Sequence, residues 1–376
     1  MGRLACTLAL LALVSAACTP PASHPAAVPP TAASSTLSDE ALASELEAYM
    51  GQQAANLSFS GAALVARRGH VLLQKGYGAS SRRWKRPNTE RIQFRIASIS
   101  KQFTAVAILL LQARGKLDVH DHMCDYISDC PPAWADITLH QLLTHTSGIR
   151  GQYDDPTYPA WQATPQTPAE VMQRFADWPL EFAPGTSWKY SDSGYLVLGR
   201  IIERVSGMPY GQFLEDNIFT PLGMRDTGYL HATHLASGYG NSYELTPAEA
   251  ADPSVDYAAG GLYSTVGDLY LWDRALFDDH FLSPDLREMA FTPYERVPSF
   301  AGADNTSYGY GFMLGQLRQP YGQPFIAHGG RAEGYSAMNA YFPDEQVAIV
   351  LLGNQRNPPV TGIFTQLAFM VFEPAH

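Results

Sequence analysis

Lysine is scarce in this chain, with five among 376 residues, and no long segment is rich in positive charge. Lys and Arg together number 25 against 36 Asp and Glu, giving a net charge of −11. The densest basic stretch, Arg82-Arg83-Trp84-Lys85-Arg86, is too small for a nucleic-acid surface, so nucleic acid is not an expected partner. Membrane-length apolar runs are missing too. The leading one, Leu4 to Val14, falls short of the roughly 20 residues that cross a bilayer. No Gly-x-Ser-x-Gly occurs, which removes the nucleophile elbow of the α/β hydrolases. No His-Glu-x-x-His occurs either. Without it, His120/His122, His140/His145 and His231/His234 are weak support for zinc, and no metal is expected. Cysteine is limited to Cys6, Cys18, Cys124 and Cys130. The last two flank a short loop and are expected to form a disulfide in an oxidising compartment, contributing roughly 2–3 kcal/mol.

What is present describes a soluble globular domain. The chain is 46% hydrophobic and 16% charged, with enough length for a large core. Residues 1–17 stand apart. Arg3 supplies a short positive region, an apolar stretch follows, and Ser15-Ala16-Ala17 places small residues before Cys18. This reads as a leader cleaved before a lipidated Cys18, with a plain secretory signal cut near Ala17 as the alternative. Residues 19–36 are rich in Pro, Ala and Ser and hold no charged residue, so residues 18–36 are expected to be a tether. The expected location is the periplasm, on the outer membrane through Cys18, with lipid the only membrane contact. Residues 37–376 then form the working domain.

The periodicities place strands at both ends of that domain and helices between them. Ser38 to Ala55 is expected to be an amphipathic helix with Leu42, Leu46 and Tyr49 on one face. Gly61–Ala66 and His70–Tyr77 form a hairpin around Arg67-Arg68-Gly69. Helices are expected over 167–178, 193–206, 209–218 and 265–277, with a long loop over 149–166. Strands return at Tyr308–Leu317, Pro324–His328, Tyr335–Phe342 and Gln346–Leu352, and a helix over 359–371 closes the chain. That segregation predicts an α+β fold: an antiparallel sheet flanked by helices, with an inserted all-helical domain.

Three short motifs carry the chemistry. Ser98-Ile99-Ser100-Lys101 opens the apolar run Gln102 to Gln112, so a hydroxyl and an amine three residues apart share one face of a buried helix. Burial lowers a lysine pKa, and a neutral amine beside a hydroxyl can take its proton. Tyr190-Ser191-Asp192 stands just before a helix, where a tyrosine can face a cleft. His328-Gly329-Gly330 ends a short strand, where paired glycines let a backbone or substrate approach closely.

In this order the motifs resemble those of the serine β-lactamase and penicillin-binding superfamily. The branch is the class C β-lactamase-like one that includes carboxylesterases, D-alanyl-D-alanine carboxypeptidases and D-aminopeptidases. That family uses Ser-x-x-Lys, Tyr-x-Asn and Lys/His-Thr/Gly-Gly. Leu142-Leu-Thr-His-Thr-Ser-Gly148, Pro221-Leu-Gly-Met224 and Gly260-Gly-Leu-Tyr-Ser-Thr265 also look familiar, and the likeness spans about residues 40–355. The resemblance implies an enzyme with a β-lactamase/transpeptidase-like fold and no cofactor. Ser98 would be the acylated nucleophile, Lys101 its proton relay, and Tyr190 a general base kept partly ionised by Lys101. The backbone N–H groups of Ser98 and Arg331 would form the oxyanion hole. His328, Gly329, Gly330 and Asp192 would contact substrate. The chain departs from the pattern at Asp192, where the family has asparagine. A carboxylate cannot donate to a substrate carbonyl and should hold Lys101 cationic. Both Asp192 and His328 point away from penicillins and toward small neutral or cationic esters, amides or peptides. The competing readings are a D-amino-acid peptidase, carboxypeptidase or β-lactamase acting on cell-wall-type substrates, and a non-catalytic binding module on the same fold. The joint presence of Ser98, Lys101 and Tyr190 argues against the last.

Overall fold

The computed structural model describes residues 38–240, 246–356 and 359–373. The expected leader, Cys18 and the tether lie outside these residues. Eight strands form one antiparallel sheet: β1 (Gly61–Arg67), β2 (His70–Tyr77), β3 (Glu295–Arg296), β4 (Ala303–Tyr308), β5 (Met313–Leu317), β6 (Pro324–Ala332), β7 (Tyr335–Phe342) and β8 (Val347–Gly353). Their order is β2-β1-β8-β7-β6-β5-β4-β3, so the two ends of the chain meet where β1 pairs with β8. The β1–β2 turn uses Arg68 and Gly69 at φ 50° and 84°, the left-handed pair that a tight hairpin requires.

Helices cover both faces of the sheet. On β8, Val347, Ile349 and Leu351 pack with α1 (Asp39–Ala55) and the C-terminal helix Val360–Phe372, while Ala348, Val350 and Leu352 face the helical half. Burial on both sides explains why this strand reads as an unbroken apolar run. On α1 the buried stripe is Leu42, Leu46 and Met50. Tyr49 is only half-buried. Between the strand sets lie α2 (Ser100–Ala113), α3 (Asp192–Ser206), α4 (Pro253–Gly260) and α5 (Val266–Ala275). Helix α2 is buried almost all round, as its composition predicts.

Several boundaries differ from expectation. The segment Tyr308–Leu317 is two strands, divided by Gly309-Tyr310-Gly311-Phe312. Gly311 has φ 81°, and a Cβ there would lie 2.6 Å from the Lys101 carbonyl oxygen, so the chain turns against α2 instead of running straight. Strand β6 continues past His328 to Ala332. The helix expected over 167–178 is Pro168–Gln173, and that over 209–218 is Tyr210–Leu214 followed by a π turn. The loop 149–166 holds single helical turns at Gln152–Asp154 and Tyr158–Trp161. Cys124 and Cys130 are joined by a disulfide.

One buried acid ties α5 to β7. Asp273 is 2% exposed. Asn339 Nδ2 donates to its Oδ1 at 2.7 Å, while Asp273 Oδ2 and Asn339 Oδ1 have no partner among the described residues. Burial pushes the carboxyl up to about 8, against the Asn339 hydrogen bond, which favours the charged form. The folded protein therefore keeps a proton that the unfolded chain releases at ordinary carboxylate pH. The stability is present in full at low pH and is lost as pH rises toward about 8. Asp273→Asn mimics the protonated acid. Its Tm should match wild type near pH 4 and exceed it by several degrees near pH 9. Equal Tm values at pH 9 would show that Asp273 is not held protonated.

Candidate active site

Three segments meet: the turn before α2, the N-terminus of α3, and the middle of β6. Ala97–Ile99 form a 3₁₀ turn, and α2 begins at Ser100, so Ser98 stands just ahead of the helix. Ala97 has φ 47°, a left-handed conformation costing roughly 1–2 kcal/mol for a residue with a Cβ. Such strain persists only where surrounding structure enforces it. Here Ile96 N–H donates to the Leu262 carbonyl, and β6 presses from the other side. A Cβ on Gly330 would lie 2.1 Å from the Ile96 oxygen, which explains glycine at that position. Gly330→Ala should push β6 off the Ser98 turn. A displacement of about 1 Å costs on the order of 10²-fold in kcat. A folded Gly330→Ala variant with kcat near wild type would show that this close approach does not set the site.

Lys101 lies in the first turn of α2 and is fully buried. Its Nζ is 3.2 Å from Ser98 Oγ, 2.6 Å from Asp192 Oδ1 and 2.7 Å from the Ala259 carbonyl oxygen at the end of α4. The rings of Tyr190 and Tyr195 face it at 4.9 and 5.5 Å. Burial pulls its pKa down, but Asp192 and Tyr190 more than offset that, and the net shift is upward. Lys101 is therefore a cation in the resting site, as the Asp192 carboxylate implies, and not the neutral amine that burial alone gives. Ser191, not Asp192, caps α3: its Oγ accepts from Gly194 N–H at 3.4 Å. That leaves Asp192 free to reach Lys101.

The Tyr190 hydroxyl is buried and makes no well-formed hydrogen bond among the described residues, although Lys101 and Ser98 lie close enough to interact with it. Burial raises its pKa, Lys101 pulls it back and Asp192 raises it again, with a net upward shift. The expectation of a partly ionised phenol is thus corrected: Tyr190 rests as a neutral O–H donor. His328 is 3% exposed, and burial together with Lys101 lowers its pKa to about 3. It is neutral, with Nε2 at 3.1 Å from the Tyr308 hydroxyl, and offers no positive charge to a substrate carboxylate. The cleft beside Ser98 encloses about 310 Å³. Ser98, Tyr190 and His328 to Arg331 form its polar wall, and Phe300, Met313, Met338 and Val360 its apolar one.

The three sequence motifs are thus brought to one cleft, with Arg331 beside them. Sequence reasoning missed the Ala259 carbonyl, His145 behind Tyr190, and Asp256. Tyr153 donates to Asp256 at 2.6 Å, and burial pushes its carboxyl up to about 6. Asp256 has no sequence signature, because α4 and the 149–166 loop meet only in the folded chain. Among the described residues, no three His, Cys, Asp or Glu side chains are grouped to hold a metal.

A model of the beta-lactamase family matches residues 45–366. The chain is 30% identical over 306 residues to a putative penicillin-binding protein, PbpX, of Bacillus subtilis, covering 80% of this chain and 72% of that one. It is 28% identical to the esterase EstB of Burkholderia gladioli, covering 90% of this chain and 97% of that one. Among solved structures, the octameric penicillin-binding protein homologue of Pyrococcus abyssi superposes with a TM-score of 0.76 at 26% identity, covering 88% of this chain and 78% of that one. The D-amino acid amidase of Ochrobactrum anthropi shares the fold, with a TM-score of 0.76 at 24% identity over 88% of this chain and 98% of that one. With that fold, a Ser-x-x-Lys turn at the cleft and a matching family model, this chain belongs to the beta-lactamase family of serine hydrolases.

Proposed function

We propose that the chain hydrolyses small neutral or cationic esters and amides through an acyl-enzyme on Ser98. The observation that carries this is the Lys101 ammonium set between Ser98 Oγ and the Asp192 carboxylate. Loss of one ammonium proton to solvent leaves Lys101 as an amine, which takes the Ser98 proton as Oγ attacks the acyl carbon. The N–H groups of Ser98 and Arg331 receive the carbonyl oxygen as charge builds on it; such donors are worth roughly 3–4 kcal/mol each. The bond to the leaving group breaks, and the neutral Tyr190 O–H protonates the departing atom. Tyr190 is reprotonated by Lys101. Water then attacks the ester on Ser98 by the reverse proton route.

Substrate class follows from charge. Asp192 and neutral His328 disfavour a carboxylate next to the scissile bond, and Asp256 adds a second acid nearby. The relatives named esterase fit this reading better than those named penicillin-binding. The expected location remains the periplasm, with Cys18 lipidated and residues 18–36 as tether. Rates with nitrophenyl acetate, a D-amino acid anilide and nitrocefin test the function. The ester or anilide should lead in kcat/KM, and Ser98→Ala should lose all three. Nitrocefin as the best substrate would overturn the assignment.

A further inference from the structure

We propose that His145 is the positioning residue of the site, a clamp that fixes the Tyr190 phenol by holding both of its chain neighbours. The Lys189 N–H donates to the His145 carbonyl oxygen at 3.1 Å. The Ser191 N–H donates to His145 Nδ1, also at 3.1 Å. Tyr190 lies between these two bonds, and its ring rests on the His145 ring with centroids 4.3 Å apart. One residue thus holds the tyrosine from before, from behind and from the side.

His145 is itself fixed. It is 1% exposed, and its ring also packs against Tyr308 at 4.7 Å and Tyr195 at 5.2 Å. Its backbone is left-handed, at φ 62°, which no glycine relieves. A strained, buried histidine with a single hydrogen-bonded ring nitrogen points to a local task, because nothing in core packing requires an imidazole there. The Ser191 bond requires an unprotonated Nδ1, so the ring proton sits on Nε2. Burial, reinforced by Lys101 and His328, holds the ring neutral and keeps that acceptor available. The clamp matters because the Tyr190 hydroxyl makes no well-formed hydrogen bond among the described residues that would hold it against Lys101 and Ser98. Its place opposite Ser98 and Lys101 is set by the backbone on either side.

The clamp rests on the reading of Tyr190 as proton donor, and the test separates the two. Asn and Gly both accept a left-handed backbone. Asn keeps an acceptor near the Nδ1 position, and Gly removes it. With nitrophenyl acetate, His145→Asn should stay within about threefold of wild-type kcat, and His145→Gly should fall on the order of 10²-fold with KM little changed. Tyr190→Phe should also lose about 10²-fold. The double variant Tyr190→Phe/His145→Gly should be no slower than Tyr190→Phe alone, since His145 acts through Tyr190. Full kcat in folded His145→Gly overturns the clamp. So do equal losses in the Asn and Gly variants, or an undiminished further loss in the double variant, while Tyr190→Phe stays impaired. Full kcat in Tyr190→Phe instead overturns the donor reading and takes the purpose of the clamp with it.

Discussion

Replacing Lys101 with methionine should lower kcat by about 10³-fold and destabilise the fold by roughly 3 kcal/mol or more. The two losses have different causes. The rate falls because Ser98 Oγ loses the Lys101 nitrogen 3.2 Å away that takes its proton. The stability falls because Lys101 is fully buried and Asp192 only 14% exposed, so the carboxylate is stranded in a dry site without its counter-ion. The Ala259 carbonyl loses its donor as well. The double variant Lys101→Met/Asp192→Asn separates them. It removes the stranded charge and should regain most of the stability in urea unfolding, while kcat stays at the level of Lys101→Met. Recovery of activity in the double variant would mean that Lys101 serves only to neutralise Asp192.

Asp192→Asn should change what the enzyme prefers. A substrate carboxylate near the scissile bond must approach Asp192. Two like charges about 5 Å apart at an effective dielectric near 20 repel by roughly 3 kcal/mol before relief from the Lys101 cation paired with Asp192, so a factor on the order of a hundred in rate is the upper bound. The amide removes that repulsion and adds a donor. The ratio of kcat/KM for penicillin to that for a neutral ester should therefore rise, by up to about a hundredfold. The same change removes the group that holds Lys101 cationic. Burial then dominates, the lysine pKa falls, and the acid limb of the ester kcat profile should move to lower pH. An unchanged substrate ratio with an unchanged pH profile would leave Asp192 without a part in specificity or in proton transfer.

Much of the site was legible because its logic is local. The i,i+3 spacing puts Ser98 and Lys101 together whether Ser98 lies in the helix or in the 3₁₀ turn before it. The pairing of Asp192 with Lys101 was expected from the resemblance, which sets the residue two after Tyr190 beside the Ser-x-x-Lys pair. Gly329-Gly330 announced a close approach, and the Gly330–Ile96 contact is that approach. What was not legible depends on packing between distant segments. The ionisation of Tyr190 is decided by burial, which no nearby residue encodes. Ser191 and Asp192 are both sound caps by composition, and the choice between them is made by Lys101 from another helix. The strand break at Gly309–Phe312 comes from contact with α2, since the segment alone continues the alternation. His145 was visible only in a familiar motif and as a neighbour of His140, and its bonds to residues 189 and 191 span more than forty positions.

The most direct measurement is intact-mass and peptide mapping after brief exposure to an activated ester or a fluorophosphonate. The account predicts a single adduct on the peptide that carries Ser98, absent in Ser98→Ala and formed at least tenfold more slowly in Lys101→Met. An adduct on any other residue, or undiminished turnover in Ser98→Ala, would contradict it.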